Sequence, residues 1–536
     1  MDQGDNDWWR HGVFYQIYPR SFQDSNADGV GDIRGIIERL PHLKALGINA
    51  VRLSPIFPSP MADFGYDISD YTGIDPLFGT MADFDALVSA AHENGLKLIL
   101  DLVPNHTPDQ HPWFIESKSS RDSPKRDWYI WRDGKPDGGP PNDWLSEFGG
   151  SGWEYHDATG QYYYHAFLAQ QPDLNWRNPD VREAIYEVMR FWLRKGVDGF
   201  RVDVIWPLIK DAEFRDNPPN PNYHKGRPPH ERILTQYSTD RPEVHEIIAE
   251  MRRVTEEFGS RVLIGEIHLP LHRLVAYYGN DLAGAHMPFN FALLSTLWRA
   301  RSIERIIADY EKALPIGAWP NWVLGNHDRP RVASRVGQEQ ARVAAMLLLT
   351  LRGTPTLYYG DEIGKHQVAI APDQVQDPFE KNVPGIGVDR DGCRTPMQWD
   401  ATLHAGFSTV TPWLPLADDF VRRNVVNLEA DTKSILSPYK ALIATRRKLP
   451  QLVTGTHQPV AAQGDILLYR RNGAAGSIII ALNLGAEPVS VTSSSLGFGN
   501  EILLSTFLDR SGESVRGVVD LRGNEGVMIA EPAQAG

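Results

Sequence analysis

The strongest constraint on this chain is a repeated order: a short apolar run, a polar residue at its end, then an amphipathic helix. Val13–Pro19, Ile48–Ile56, Leu96–Pro104, Val197–Asp203, Arg261–Ile267, Asn321–Gly325 and Thr354–Tyr359 read as strands. Between several of them lie helical patterns. Ile36, Ile37, Leu40, Leu43 and Leu46 recur at helical spacing until Gly47, with Pro41 expected to kink the run or mark its early turn. Met81–Asn94 is amphipathic and ends at Gly95. Asn178-Pro179 supplies an N-cap and a first-turn proline for a helix whose apolar face is Val181, Ile185, Val188, Met189, Trp192 and Leu193. Alternation of this kind builds a parallel sheet from βαβ units. Chemistry-bearing residues at strand C-termini suit an α/β fold of the (β/α)8 TIM-barrel type.

The alternation breaks once. From about Thr107 to Gln170 the chain is rich in Trp, Tyr, Pro, Gly and Asp without clear periodicity, and a stretch of this length is usually a functional insertion. Its tryptophans, among them Trp113, Trp144 and Trp153, either pack together or line a sugar-binding mouth. A second irregular, proline-rich stretch runs from Asp216 to Pro229. Beyond the helix that starts at Ser437-Pro438, short alternating strands at Ile466–Arg471 and Ile478–Leu482, joined through Asn472-Gly473, read as an antiparallel β domain. The expected division is residues 1–106 and 173–457 for the barrel, 107–172 for the inserted irregular subdomain, and 458–536 for the C-terminal β domain.

Bulk properties exclude several classes. A formal charge of −14 over 536 residues argues against a nucleic-acid partner. No apolar run is long enough to span a membrane. A single cysteine, Cys393, forms no intrachain disulfide, and the first ten residues are polar, so a cytoplasmic location is expected.

Arg201 and Asp203 stand two apart at the end of one strand and so share a face. The guanidinium keeps the carboxylate ionised, either as a structural ion pair or as a nucleophile. Glu266 and Asp328 occupy equivalent strand-end positions. Three carboxylates in one mouth suit glycoside hydrolysis, which needs one carboxyl as acid and one as base or nucleophile. His106 and His327 follow strands too, as donors to sugar hydroxyls or as structural histidines. Near the N-terminus, Asp24, Asn26, Asp28 and Asp32 alternate around Gly29, with the Val30 carbonyl as a further oxygen. The spacing resembles the first half of a calcium loop, although Gly35 stands where an EF-hand has its glutamate. The loop holds a structural divalent cation, Ca²⁺ with Mg²⁺ as the alternative, or is a metal-free Asx-turn loop.

Taken together, Asp101–His106, Gly199–Asp203, Gly265-Glu266, Asn326–Asp328 and Gln171–Asn175 resemble the motifs of the α-amylase superfamily (glycoside hydrolase family 13), within it the oligo-1,6-glucosidase and α-glucosidase branch. The resemblance implies roles. Asp203 matches the nucleophile, Glu266 the general acid/base and Asp328 the transition-state stabiliser. His106, Arg201 and His327 match ligands of the first glucose. Asp63 and Tyr66 match the residues that hold its non-reducing end, and Arg390 the arginine that pairs with that Asp. The Asp24–Asp32 loop matches the branch's cation site. The implied enzyme is an exo-acting, retaining α-glucosidase for oligosaccharides or disaccharides, without organic cofactor, as a monomer or weak homo-oligomer. Val204, after the nucleophile, leans the linkage to α-1,6; α-1,4 or sucrose preference, transglucosylation and sucrose or maltose isomerisation are the alternatives. A scaffold of the same fold without activity would lose these carboxylates. Two geometric expectations follow: a close Asp203–Glu266 pair, and a raised Glu266 pKa beside an ionised Asp203.

Overall fold

The computed structural model describes residues 7–385, 390–492 and 500–531. Eight strands form one parallel sheet: β1 (Phe14–Ile17), β2 (Ala50–Leu53), β3 (Lys97–Leu102), β4 (Gly199–Val202), β5 (Val262–Gly265), β6 (Met287–Pro288), β7 (Asn321–Val323) and β8 (Thr354–Tyr358). Their spatial order is β7-β8-β1-β2-β3-β4-β5-β6. A parallel bridge from Asn290 to Trp322 joins the two edges and completes a (β/α)8 barrel. The order repeats the chain order around the ring, as right-handed βαβ crossovers require.

Seven strands coincide with apolar runs of the sequence. β6 is the exception, because two residues leave no pattern to read. β4 and β5 run unusually close at one point. A Cβ on Gly199 would lie 2.3 Å from the Val262 carbonyl oxygen, so only glycine fits there.

Local signals account for the helices. The helix Ile33–Leu46 starts where the Asp32 carboxylate accepts the Gly35 N–H, and ends at Gly47 in the left-handed conformation. It runs through Pro41 as one element, with the proline in mid-helix rather than in the early turn, and with Ile33, Ile36, Leu40, Leu43 and Leu46 buried. Burial of five such side chains, at about 1.5–3 kcal/mol each, outweighs the roughly 3 kcal/mol an internal proline costs. The helix Pro179–Arg194 has its Asn178 cap and buries the apolar face read from the sequence.

Between β3 and β4 lies a three-stranded antiparallel sheet of Trp131–Arg132, Gln161–Tyr164 and Trp153–His156. After the barrel, a six-stranded sheet includes Ile466–Gly473 and Gly476–Asn483. Asn472 and Gly473 pair with Ser477 and Gly476, so the hairpin turns at Ala474-Ala475 rather than at Asn472-Gly473. Among the described residues no helix is long and apolar enough to cross a membrane.

Candidate active site

Asp63, Tyr66, His106, Asp203, Val204, Glu266, His327, Asp328 and Arg390 line one cavity of about 510 Å³ at the C-terminal ends of the strands. Arg201 lies beneath them, almost fully buried.

The floor is an ionic network raised on adjacent strands. Asp101 of β3 is level with Arg201 of β4. Arg52 of β2 donates to both Asp101 oxygens at 2.7 and 3.0 Å, and Tyr66 Oη donates to Asp101 Oδ2 at 2.9 Å. Arg201 Nη1 then reaches Asp101 Oδ2 at 3.1 Å and Asp203 Oδ1 at 2.6 Å, while Nη2 reaches Glu266 Oε2 at 2.7 Å. One guanidinium therefore touches both carboxyls.

Val204 joins the pair through the backbone. Its N–H donates to Glu266 Oε2 at 3.0 Å, and its φ is +36°, a region that β-branched residues avoid. Backbone strain of this sort costs roughly 1–3 kcal/mol and collects at functional sites.

The pKa directions of the pair run opposite to the sequence expectation. Burial and the facing Glu266 carboxylate push Asp203 well above the ordinary carboxylate range. Burial opposes ionisation of Glu266 too, but Arg201 and His268 outweigh it and hold Glu266 below its usual range. The reason is the donor count: Glu266 has the Val204 N–H and His268 in addition to Arg201.

Asp328 follows β7 and is the most open of the three, with 26% of its side chain exposed. Burial raises its pKa, but His327, Arg394 and Arg390 overcome that and keep it ionised. Arg394 Nη2 donates to Asp328 Oδ1 at 3.0 Å, and Arg394 Nε to the His327 carbonyl at 2.8 Å. The His327 ring lies between Tyr66 (centroids 5.1 Å apart, 6° between planes) and Tyr18 (5.8 Å, 21°). Gln16 Nε2 donates to its Nδ1 at 2.9 Å, which leaves Nε2–H to face Asp328 at 3.3 Å. Burial pushes this imidazole down to about 3, so it is neutral. His106 is also held neutral by burial, and its Nε2–H donates to the Tyr66 carbonyl at 2.8 Å.

At the far end, Arg390 Nη2 donates to Asp63 Oδ1 at 3.0 Å. Asp377 holds the same guanidinium, accepting from Nε at 2.9 Å and Nη2 at 2.6 Å. Asp101, Asp377 and Arg394 were not assigned from sequence. Arg394 follows Arg390 by four residues, and that nearness was the available signal; Asp377 lies in an irregular loop that offers none. Trp144 and Trp153 do not line the cavity. Both are buried against Tyr164, and Trp113 packs on Tyr71 and Trp128. Phe148, Phe167, Trp206 and Phe379 line the mouth instead.

The Asp24–Asp32 loop lies away from this cavity. Asp24, Asn26 and Asp28 each accept the N–H two residues ahead, at 3.0, 3.0 and 2.8 Å. Ser408 Oγ donates to Asp24 at 2.6 Å and Trp413 N–H to the Gly29 carbonyl at 3.0 Å, tying the loop to a distant segment. The alternating all-oxygen donors fit a hard cation by type. Asp32 is turned onto Ser25 and Gly35, and among the described residues no three acidic or histidine side chains converge as a metal-holding group.

The model of the alpha-amylase catalytic domain matches residues 16–455. A probable alpha-glucosidase of Rhizobium meliloti is 42% identical over 499 residues, covering 90% of each chain. An oligo-1,6-glucosidase of Parageobacillus thermoglucosidasius is 40% identical over 522 residues, covering 90% of this chain and 91% of its own. Among solved structures, the alpha-glucosyl transfer enzyme XgtA superposes with a TM-score of 0.92 at 39% identity, over 98% of this chain and 99% of its own.

Proposed function

The chain belongs to the alpha-amylase family and is a glycoside hydrolase, and from that premise we propose that it is an exo-acting, retaining α-glucosidase that removes glucose from the non-reducing end of short α-glucosides. The observation that carries this reading is the guanidinium of Arg201 held against both Asp203 and Glu266 beside a cavity lined by Asp63 and Arg390, with Asp377 holding that arginine.

Asp203 attacks the anomeric carbon, and Glu266 protonates the departing glycosidic oxygen. A β-glucosyl ester on Asp203 results. Glu266, now ionised, takes a proton from water, which breaks the ester and restores the α configuration. Asp328 faces the positive charge that develops on the ring. His106 and His327 line the pocket of the first glucose above Arg201, and the Nε2–H of neutral His327 faces it without adding charge. Tyr66 stacks under His327 and fixes that ring. The Asp63–Arg390 pair takes the terminal hydroxyls.

Val204 leans the linkage towards α-1,6, and the 40%-identical oligo-1,6-glucosidase supports the same direction. The test is kcat/KM for glucose release from isomaltose, maltose and sucrose under identical conditions. Isomaltose ahead supports the reading; maltose or sucrose ahead overturns the linkage and leaves the carboxylate roles intact. Full activity in Asp203→Asn removes Asp203 from its role. A second reading, glucosyl transfer to a sugar acceptor, draws on the likeness to the glucosyl transfer enzyme; trisaccharide formed at high disaccharide concentration identifies it. At the Asp24–Asp32 loop the proposed occupant is Ca²⁺, through the oxygens of Asp24, Asn26, Asp28 and Val30 with Asp32 behind them.

A further inference from the structure

The two oxygens of Glu266 have unlike surroundings. Oε2 accepts the Val204 N–H at 3.0 Å and lies 2.7 Å from Arg201 Nη2. Oε1 meets the imidazole of His268, whose Nε2 is 3.3 Å away. That ring is held from two sides by other loops. It stacks on Phe291, with centroids 4.5 Å apart and planes at 13°, and meets the edge of Trp206 at 5.4 Å. Its side chain is 34% exposed and lines the catalytic cavity.

We propose that His268 is a positioning residue that governs the proton on Glu266 Oε1, and with it the balance between protonating the leaving group and activating the incoming water or sugar. The inference rests on Glu266 being the acid/base. With two donors already on Oε2, the transferable proton rides on Oε1, and His268 is the group that meets it there. With hydrogen on Nε2, the imidazole donates to the ionised carboxylate, the form the second step needs. With hydrogen on Nδ1, Nε2 accepts from the protonated carboxyl. The donor form favours ionised Glu266, so removing the ring favours the protonated one. The charged groups bearing on Glu266 are Arg201 and Asp203 on the β4 side and Asp328 beyond β7. Phe291 and Trp206, which pack on the ring, carry no charge, and Asp309 and Tyr310 line a cavity on its other side.

The variant His268→Phe keeps an aromatic ring on Phe291 and deletes the nitrogen. The basic limb of its kcat/KM profile for a disaccharide should move up by about one pH unit, and the glucosyl-enzyme should accumulate, seen as a burst with an activated aryl glucoside. His268→Gln, which keeps an N–H donor, should return the limb to the parent position. A purely packing role lowers stability or kcat and leaves the limb in place. A limb that does not move in His268→Phe overturns the proposal. If that variant does not fold, His268→Leu against His268→Gln makes the same comparison. Glu266→Gln separates this inference from the reading beneath it. A disaccharide kcat/KM left intact by Glu266→Gln sinks the acid/base assignment itself; a drop of about 10²–10⁴ with an unmoved limb in His268→Phe sinks only the role of His268.

Discussion

Asp377 offers a clean test of how the far end of the cavity is built. Its Oδ1 accepts two hydrogen bonds from Arg390, at 2.9 and 2.6 Å, and also the Phe379 N–H that starts the helix Pro378–Asn382. Asp377→Asn keeps the cap, because Asn caps as well as Asp. It removes the negative charge facing a buried guanidinium. Arg390 stays charged and keeps both bonds, so what is lost is the ionic part alone, less than the 3–5 kcal/mol or so that removing one partner of a buried pair costs. Across the two bonds, which share one oxygen, that loss is about 2 kcal/mol, or roughly thirtyfold. Arg390 retains Asp63 at 3.0 Å and Asp328 at 3.5 Å, so the variant should fold with little change in Tm. If Arg390 holds the non-reducing end equally in ground and transition states, the loss appears as a raised KM with kcat nearly unchanged. The assay is initial-rate glucose release from maltose and isomaltose, with thermal melts alongside. Asp377→Ala should show the same KM effect plus about 1 kcal/mol of lost stability from the missing cap. If Asp377→Asn stays within about threefold of the parent while Asp377→Ala only melts earlier, Asp377 is a helix cap and the reasoning about Arg390 fails.

Two further outcomes are expected. Burial pushes His327 down to about 3 from its ordinary 6.5, so the folded chain binds fewer protons than the unfolded one between those values. Its contribution is therefore present above about 6.5 and lost as pH falls towards 3. Tm should decline over that window, and His327→Gln should flatten the decline; an identical slope in the variant refutes the assignment. Chelation of Ca²⁺ should lower Tm and loosen the attachment of the Asp24–Asp32 loop to residues 407–413, with kcat retained just below the new Tm. A Tm indifferent to both EDTA and millimolar Ca²⁺ would leave the loop as a metal-free turn.

The barrel was legible wherever a strand lay within a predominantly apolar stretch, because such stretches are what a strand covered on both faces requires. β6 failed that test only through brevity. The three carboxylates were legible because each follows a strand end, a position the chain order alone identifies. Asp377 and Arg394 were not, since their partners are brought together by loop packing across the barrel mouth. Of the two readings of the insertion's tryptophans, packing holds for Trp144 and Trp153, which build a small core with Tyr164. The pKa directions of the Asp203–Glu266 pair needed the Val204 N–H and the His268 ring, and neither contact follows from spacing.

The barrel's closure has a consequence for how heat disables the molecule. β6 is two residues long, and among the described residues the Asn290–Trp322 bridge is what links its side of the ring to β7. Asp203, Glu266 and His268 stand on one bank of that joint, and Asp328, His327 and their arginines on the other. Warming should part the ring at its thinnest stave first. The reaction centre would then come apart while most of the barrel still stands, and turnover should fade at a lower temperature than the far-ultraviolet dichroism that reports the helices.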